Sequence, residues 1–172
     1  GTWALDGGGA LMNQGIHTAD LLLYFGGEVE AVQGYRTNVL HQSIEVEDTV
    51  VGILKFKNGG LGVIEASTAC KPGFPKRIEL SGTHGSATIE DDRIVRWRFD
   101  EEWPEDQEIL SGTSEGMHGG SGDPASISCE GHRRQIEDFA DVIRGKRQLS
   151  IPGTDAEKVI RMIAQIYNRS EF

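Results

Sequence analysis

Cysteine is nearly absent: the 172 residues hold two, Cys70 and Cys129, far apart and outside any CxxC spacing. Neither a zinc ribbon nor a disulfide framework follows from such a pair, and a reducing cytoplasm is the expected compartment. Long apolar runs are missing too. The longest, residues 21–25, falls far short of the ~20 residues that span a bilayer, so no membrane partner is expected. Basic residues are in deficit, with 17 Lys and Arg against 27 Asp and Glu and a net charge of -10. No segment gathers enough of them to track a phosphate backbone, which argues against a nucleic-acid partner. The opening Gly-Thr-Trp lacks the basic and then apolar pattern of an export signal. His41, His84 and His118 are scattered with no ligand-like spacing, so no metal site is expected.

What is present reads as a soluble folded chain of about one domain, because 37% hydrophobic and 26% charged residues fit neither a membrane protein nor a charged tail. Gly7-Gly8-Gly9 precede a stretch in which Leu11, Ile16, Ala19, Leu22 and Leu23 share a helical face, and Gly26-Gly27 stop it, predicting a helix over 9–25. From there the pattern shifts to β-branched and aromatic runs over 29–39, 46–56, 61–69, 78–81, 87–90 and 94–99, each a predicted strand. Asn58-Gly59 predicts a hairpin closed by a type I′ turn. Residues 100–128, rich in Gly, Ser, Asp and Glu and broken by Trp103-Pro104 and Asp123-Pro124, predict a long loop. His132, Ile136, Phe139, Ala140 and Ile143 then predict an amphipathic helix, and Thr154 with Glu157 a capping box that opens a last helix. The expected class is α+β, a predominantly antiparallel open sheet with helices packed on one face. No internal repeat is present.

The first helix carries the chemistry. Asn13 and His17 stand four apart and Asp20 three further on, so all three leave one side of the helix. Read alone, that stripe is either a solvated face or a proton-handling site. The preceding glycines permit either an anion at the helix start or a tight passage of chain, and the second is favoured: Met12 stands where a dinucleotide fingerprint needs its third glycine, and no βαβ unit follows.

The segment from Gly1-Thr2-Trp3 through Asp6-Gly7-Gly8-Gly9-Ala10-Leu11-Met12-Asn13-Gln14-Gly15-Ile16-His17 to Asp20-Leu21-Leu22 resembles the start of the second domain of the Gfo/Idh/MocA oxidoreductases, the glucose-fructose oxidoreductase and inositol dehydrogenase family. Val46-Glu47-Asp48-Thr49, Asn58-Gly59-Gly60-Leu61-Gly62, Ile78-Glu79-Leu80-Ser81-Gly82-Thr83-His84-Gly85-Ser86 and the stretch from His132 to Gly145 with Pro152 resemble its later segments, in order. The resemblance implies a two-domain enzyme. In it an amino-terminal Rossmann half, absent here, binds NAD or NADP and supplies a lysine from a Glu-Lys-Pro motif. Residues 1–172 are then expected to be the substrate-binding and oligomerisation domain, a homo-oligomer joined through its sheet and inactive as an isolated piece.

The family's helix usually shows Asp-x-x-x-His, aligned here with Asn13 and His17. His17 maps by resemblance onto the residue that exchanges a proton with the reacting hydroxyl, a task suited to a partly buried imidazole. Asn13 carries no exchangeable acid and is left to orient a hydroxyl, the imidazole or the cofactor amide. The Met-Asn-Gln-Gly-Ile-His form looks most like members that oxidise nucleotide-linked amino sugars or their uronic acids, which implies a sugar or nucleotide-sugar substrate. For an anionic substrate the candidates are Arg36, Lys71 and Lys76, although each taken singly reads more readily as a solvated surface cation. Trp3 walls the pocket or belongs to the core, His132 is explained by capping or packing as well as by catalysis, and Tyr167 reads as core first. The alternative function is a non-catalytic ligand-binding or assembly module of the same fold.

Overall fold

The computed structural model describes residues 1–91, 93–112 and 129–171, the last by its backbone only. His118 and the Asp123-Pro124 break lie outside the described residues. The chain separates into two compact units, Gly1–Pro72 with Ile151–Phe172, and Gly73–Ser150, where the length alone predicts one core.

The first unit begins with a short helix, α1 (Trp3–Asp6), whose start is held by the Thr2 hydroxyl accepting the Leu5 amide at 3.2 Å. After the glycines comes a π-helical turn, Leu11–Gly15, running directly into α2 (Ile16–Gly26). The predicted helix is therefore real, but its first turn is wound wider than an α-helix. Strands β1 (Val29–Thr37), β2 (Thr49–Phe56) and β3 (Leu61–Ser67) form an antiparallel meander. Two residues at the carboxy terminus, β7 (Ser170–Glu171), pair in parallel with β1 and complete the order β3-β2-β1-β7. Strand β2 alternates strictly, so Val50, Leu54 and Phe56 point to the covered face and Val51, Ile53 and Lys55 to the open one. Helix α5 (Gly153–Asn168) lays Val159, Met162, Ile163, Ile166 and Tyr167 on that covered face at one-turn spacing, together with Leu11 and Ala19 of the first helix.

Two local details differ from the sequence pattern. The β2–β3 hairpin forms, but Asn58 does not take a positive φ; only Gly59 does, at 90°. The Gly59 amide donates to Phe56 O at 2.9 Å, and Phe56 in turn donates to Gly60 O at 2.9 Å, a turn followed by a left-handed residue rather than a type I′ pair. Asn58 is drawn away by its side chain, which donates to Gly26 O at 3.0 Å and accepts the Gly60 amide at 2.9 Å, tying the hairpin to the end of α2. The capping box at Thr154 is not formed either. Helix α5 starts at Gly153 with the extended Pro152 as its cap, no side-chain bond, and the Asp155 amide donating to Pro152 O at 2.9 Å, so Thr154 lies within the first turn and not at the capping position a box requires.

The second unit is a separate antiparallel sheet of β4 (Arg77–Gly82), β5 (Gly85–Glu90) and β6 (Arg93–Phe99), with α3 (Pro104–Gly112) against β6. The α+β class and the antiparallel character hold, with the six long strands divided between two sheets. Helix α3 corrects the expectation of loop from residue 100 onward: Pro104 occupies the first helical position, and the Asp106 carboxylate reaches back to accept the Trp103 amide at 2.9 Å. The predicted amphipathic helix is α4 (Glu130–Ile143), yet Ile136, Phe139 and Ile143 on its apolar side remain exposed. No described helix is long and apolar enough to cross a membrane.

Candidate functional site

A helix leaves its first backbone N–H groups without partners, and something must accept them. Here Glu47, on the approach to β2, does so from a position with no solvent exposure (0%). Its Oε2 accepts the Gly9 amide at 3.0 Å, its Oε1 accepts the Leu11 amide at 3.1 Å, and its own carbonyl accepts the Ala10 amide at 3.0 Å. Tyr167, arriving from α5, accepts the Met12 amide at 3.2 Å and donates its hydroxyl to Glu47 Oε1 at 2.8 Å. Four successive amides are thus committed within the protein. Burial, followed by the hydrogen bond to Glu47 and that carboxylate's charge, pushes the Tyr167 phenol well above its ordinary pKa and keeps it a donor. Gly9 is required by this closeness: a Cβ there would lie 1.8 Å from Glu47 O. The glycines serve tight chain passage, and no amide among residues 9–12 remains for a dinucleotide phosphate.

The helix so anchored presents Asn13 and His17. Both are exposed. The Asn13 side-chain amide donates back to Gly8 O at 2.7 Å and Gly9 O at 3.3 Å, which fixes its orientation and leaves its oxygen as an acceptor. The π turn at Leu11–Gly15 lies between the Glu47 bracket and His17, in a class of distortion that recurs at functional sites. His17 is exposed at the start of α2.

Trp3, Arg36 and Tyr167 come together. The Trp3 and Tyr167 rings meet edge to face with centroids 5.3 Å apart. The Arg36 guanidinium carbon lies 5.0 Å from the Trp3 centroid and 5.7 Å from that of Tyr167. The Arg36 cation is thereby within cation–π reach of both rings, and the residue is partly buried. Trp3 is at once packed against Tyr167 and 37% exposed. Lys71 is exposed in the segment after β3, and no hydrogen bond, ion pair or ring contact joins it to these residues. Lys76 belongs to the other unit, and His132 is exposed on α4. Cys70 and Cys129 are free thiols. Among the described residues no group of three or more His, Cys, Asp and Glu side chains is arranged to hold a metal ion.

Sequence reasoning missed Glu47 and the hydroxyl of Tyr167. The adjacent acids of Val46-Glu47-Asp48-Thr49 were the available signal, since two carboxylates at the mouth of a β-branched strand need partners. Asp48, also fully buried, takes the other direction. It accepts the amides of Val39 at 2.9 Å, Leu40 at 2.8 Å and His41 at 2.8 Å, and the Thr49 hydroxyl at 2.9 Å. Burial by itself would raise its pKa, but the amides of His41, Val39 and Leu40 and the Thr49 hydroxyl outweigh it and bring the carboxyl down to about 2. The two acids therefore hold opposite sides of one junction, Glu47 the head of the first helix and Asp48 the loop after β1.

Residues 1–88 match the sequence profile of the GFO/IDH/MocA C-terminal domain. This chain belongs to the Gfo/Idh/MocA family. Among curated proteins, this Gfo/Idh/MocA domain is 34% identical over 90 residues to the uncharacterized oxidoreductase YrbE of Bacillus subtilis, covering 50% of this chain and 26% of that one. It is 37% identical over 82 residues to the myo-inositol 2-dehydrogenase of Thermotoga maritima, covering 45% and 25%. Among solved structures, the WlbA dehydrogenase of Bordetella pertussis in complex with NADH and UDP-GlcNAcA superposes with a TM-score of 0.80 at 27% identity, over 94% of this chain and 45% of that one. The chain thus spans about a quarter of the curated relatives it matches and less than half of the solved dehydrogenase.

Proposed function

We propose that residues 1–172 are the substrate-binding and oligomerisation half of an NAD(P)-dependent oxidoreductase that oxidises a hydroxyl of a sugar or nucleotide-sugar. The observation that carries this reading is the exposure of both Asn13 and His17 on a helical segment whose leading amides are locked by Glu47 and Tyr167. Membership in the Gfo/Idh/MocA family supports it, as does the likeness to a dehydrogenase crystallised with NADH and UDP-GlcNAcA.

The dinucleotide does not fit on this chain by its phosphates, since the amides of residues 9–12 are already bonded. Its binding falls to a Rossmann half, and when bound it supplies the hydride acceptor. The chain's own residues handle the oxygen. His17 takes the hydroxyl proton, alone or with a lysine of the cofactor half, as the hydrogen on the same carbon departs with its bonding electron pair and the C–O bond becomes a carbonyl. Asn13, held by its bonds to Gly8 and Gly9, offers its side-chain oxygen to position a substrate hydroxyl. Arg36 and Trp3 border the sugar, with the guanidinium the preferred partner for a uronate, and Lys71 lends positive charge at longer range.

The open face of the first sheet supports the oligomer. Tyr35, Val51, Ile53, Leu61 and Val63 lie on it, all exposed, an apolar surface that a second copy would cover. The test of the whole reading is to join the chain to a Rossmann half bearing the Glu-Lys-Pro lysine and to follow NADH absorbance with nucleotide sugars and their uronic acids. Turnover of at least one is expected. No turnover with any, although the joined protein binds NADH and is folded, refutes the reading and leaves a binding module.

A further inference from the structure

The second unit contains a half-open cavity of about 640 Å³ that the proposed reaction does not use. Trp97, Phe99 and Trp103 line it together with Asp100, Glu101 and Asp106. Strand periodicity places Trp97 and Phe99 on one face of β6, their ring centroids 4.7 Å apart, and sends Arg96 and Arg98 to the other. Asp106, in the first turn of α3, then holds both tryptophans: it accepts the Trp97 Nε1 proton at 2.9 Å and the Trp103 backbone amide at 2.9 Å. One carboxylate fixes an indole ring and the chain that carries the second indole.

Two properties of this cavity decide what it suits. Its aromatic walls are left to solvent, Trp103 at 61% and Phe99 at 43% exposure. Its charge is of one sign. Asp100, Glu101, Glu102, Glu105, Asp106 and Glu108 follow one another within nine positions, and no Lys or Arg occurs between Arg98 and Arg133. One imidazole, that of His84, lines the cavity as well, with Nδ1 3.4 Å from Asp100 Oδ2, and no ion pair joins Glu101 to a cation among the described residues. Aromatic faces and carboxylates attract the same guest, a positive charge wrapped in hydrocarbon, since the ring quadrupole and the anions both favour it and such a cation loses little hydration on entering. The volume is that of a small-molecule site.

We propose that this cavity binds a small organic cation of the alkylammonium or quaternary ammonium class. Two of the chain's three tryptophans line it, so the guest reports itself by fluorescence. The experiment is a titration of the full chain with choline, and in parallel with 3,3-dimethylbutan-1-ol, which has the same shape without the charge. Choline should give a saturable change and bind at least roughly 10-fold more tightly than the alcohol. Trp103→Ala should weaken choline roughly 3- to 30-fold. Glu101→Gln, an exposed change that keeps the fold, should weaken it several-fold and reduce its dependence on salt. Equal binding of the neutral alcohol, unchanged affinity in Glu101→Gln and Trp103→Ala, or no saturable change up to roughly 100 mM choline would each overturn the proposal.

Discussion

Replacing Glu47 with alanine removes the acceptor of the Gly9 and Leu11 amides and of the Tyr167 hydroxyl in one step. Each buried donor left without a partner costs about 1–3 kcal/mol, and water has no easy access to a position with no exposure. Against that stands the relief of removing a buried charge, which returns part of the cost. The net loss is therefore about 3–5 kcal/mol, the range typical of breaking a buried charged network. For a chain of this length each kcal/mol lowers Tm by ~2–4 °C, so Glu47→Ala should melt roughly 6–20 °C below the parent. Glu47→Gln keeps the shape and one acceptor but turns an NH2 group toward a donor, so about half that loss is expected. Calorimetry gives the magnitude, and hydrogen exchange gives the location: the amides of Gly9, Leu11 and Met12 should lose protection first, while those of β5 in the second unit keep theirs. A loss of less than about 1 kcal/mol in Glu47→Ala, or unchanged protection at Gly9 and Leu11, would refute the bracket.

Three further outcomes follow from the same structure. Asp48 has a folded pKa of about 2 against an ordinary 3.8, so its stabilisation is present above 3.8 and is lost as pH falls through about 2; acid titrations of stability should show Asp48→Asn less stable at neutral pH and flatter between those values, and a parallel shift at every pH would contradict this. Gly9→Ala should cost about 2–3 kcal/mol because its Cβ meets Glu47 O, whereas Gly131→Ala on α4, with nothing within 4 Å, should be neutral or stabilising by about 0.5–1 kcal/mol; denaturant midpoints distinguish them. Sedimentation should find the chain associated at high concentration and Ile53→Lys with Val63→Lys monomeric, since these two face each other across β2 and β3 on the open sheet face; a monomeric parent would contradict the sheet interface.

Much of this architecture is local and therefore readable. Alternation in β2, the Asn58-Gly59 punctuation and the one-turn spacing of Val159, Ile163, Ile166 and Tyr167 each depend on residues within a few positions of one another, although Met162 and not the expected Ile160 completes the buried face of α5. The candidate helix was legible for the same reason, Asn13 and His17 being one turn apart. The bracket beneath it was not, because Glu47 and Tyr167 are separated by 120 positions and nothing in either neighbourhood announces the other. The π turn was hidden as well: it needs the same residues an α-helix would use and differs only in which carbonyl each amide finds. Helix α3 was obscured by composition, six acids masking the Pro104 and Asp106 signals of a helix start. The division into two sheets was equally invisible, since a meander pattern is the same whether consecutive strands continue one sheet or begin another.

Rapid mixing of the chain, joined to its cofactor half and loaded with NAD or NADP, against a turned-over nucleotide sugar isolates the step assigned to His17. His17→Ala should bind the sugar as the parent does while the single-turnover rate of reduced-cofactor formation falls at least about 100-fold, the scale of a lost general base. An unchanged single-turnover rate in His17→Ala would contradict the account at its centre.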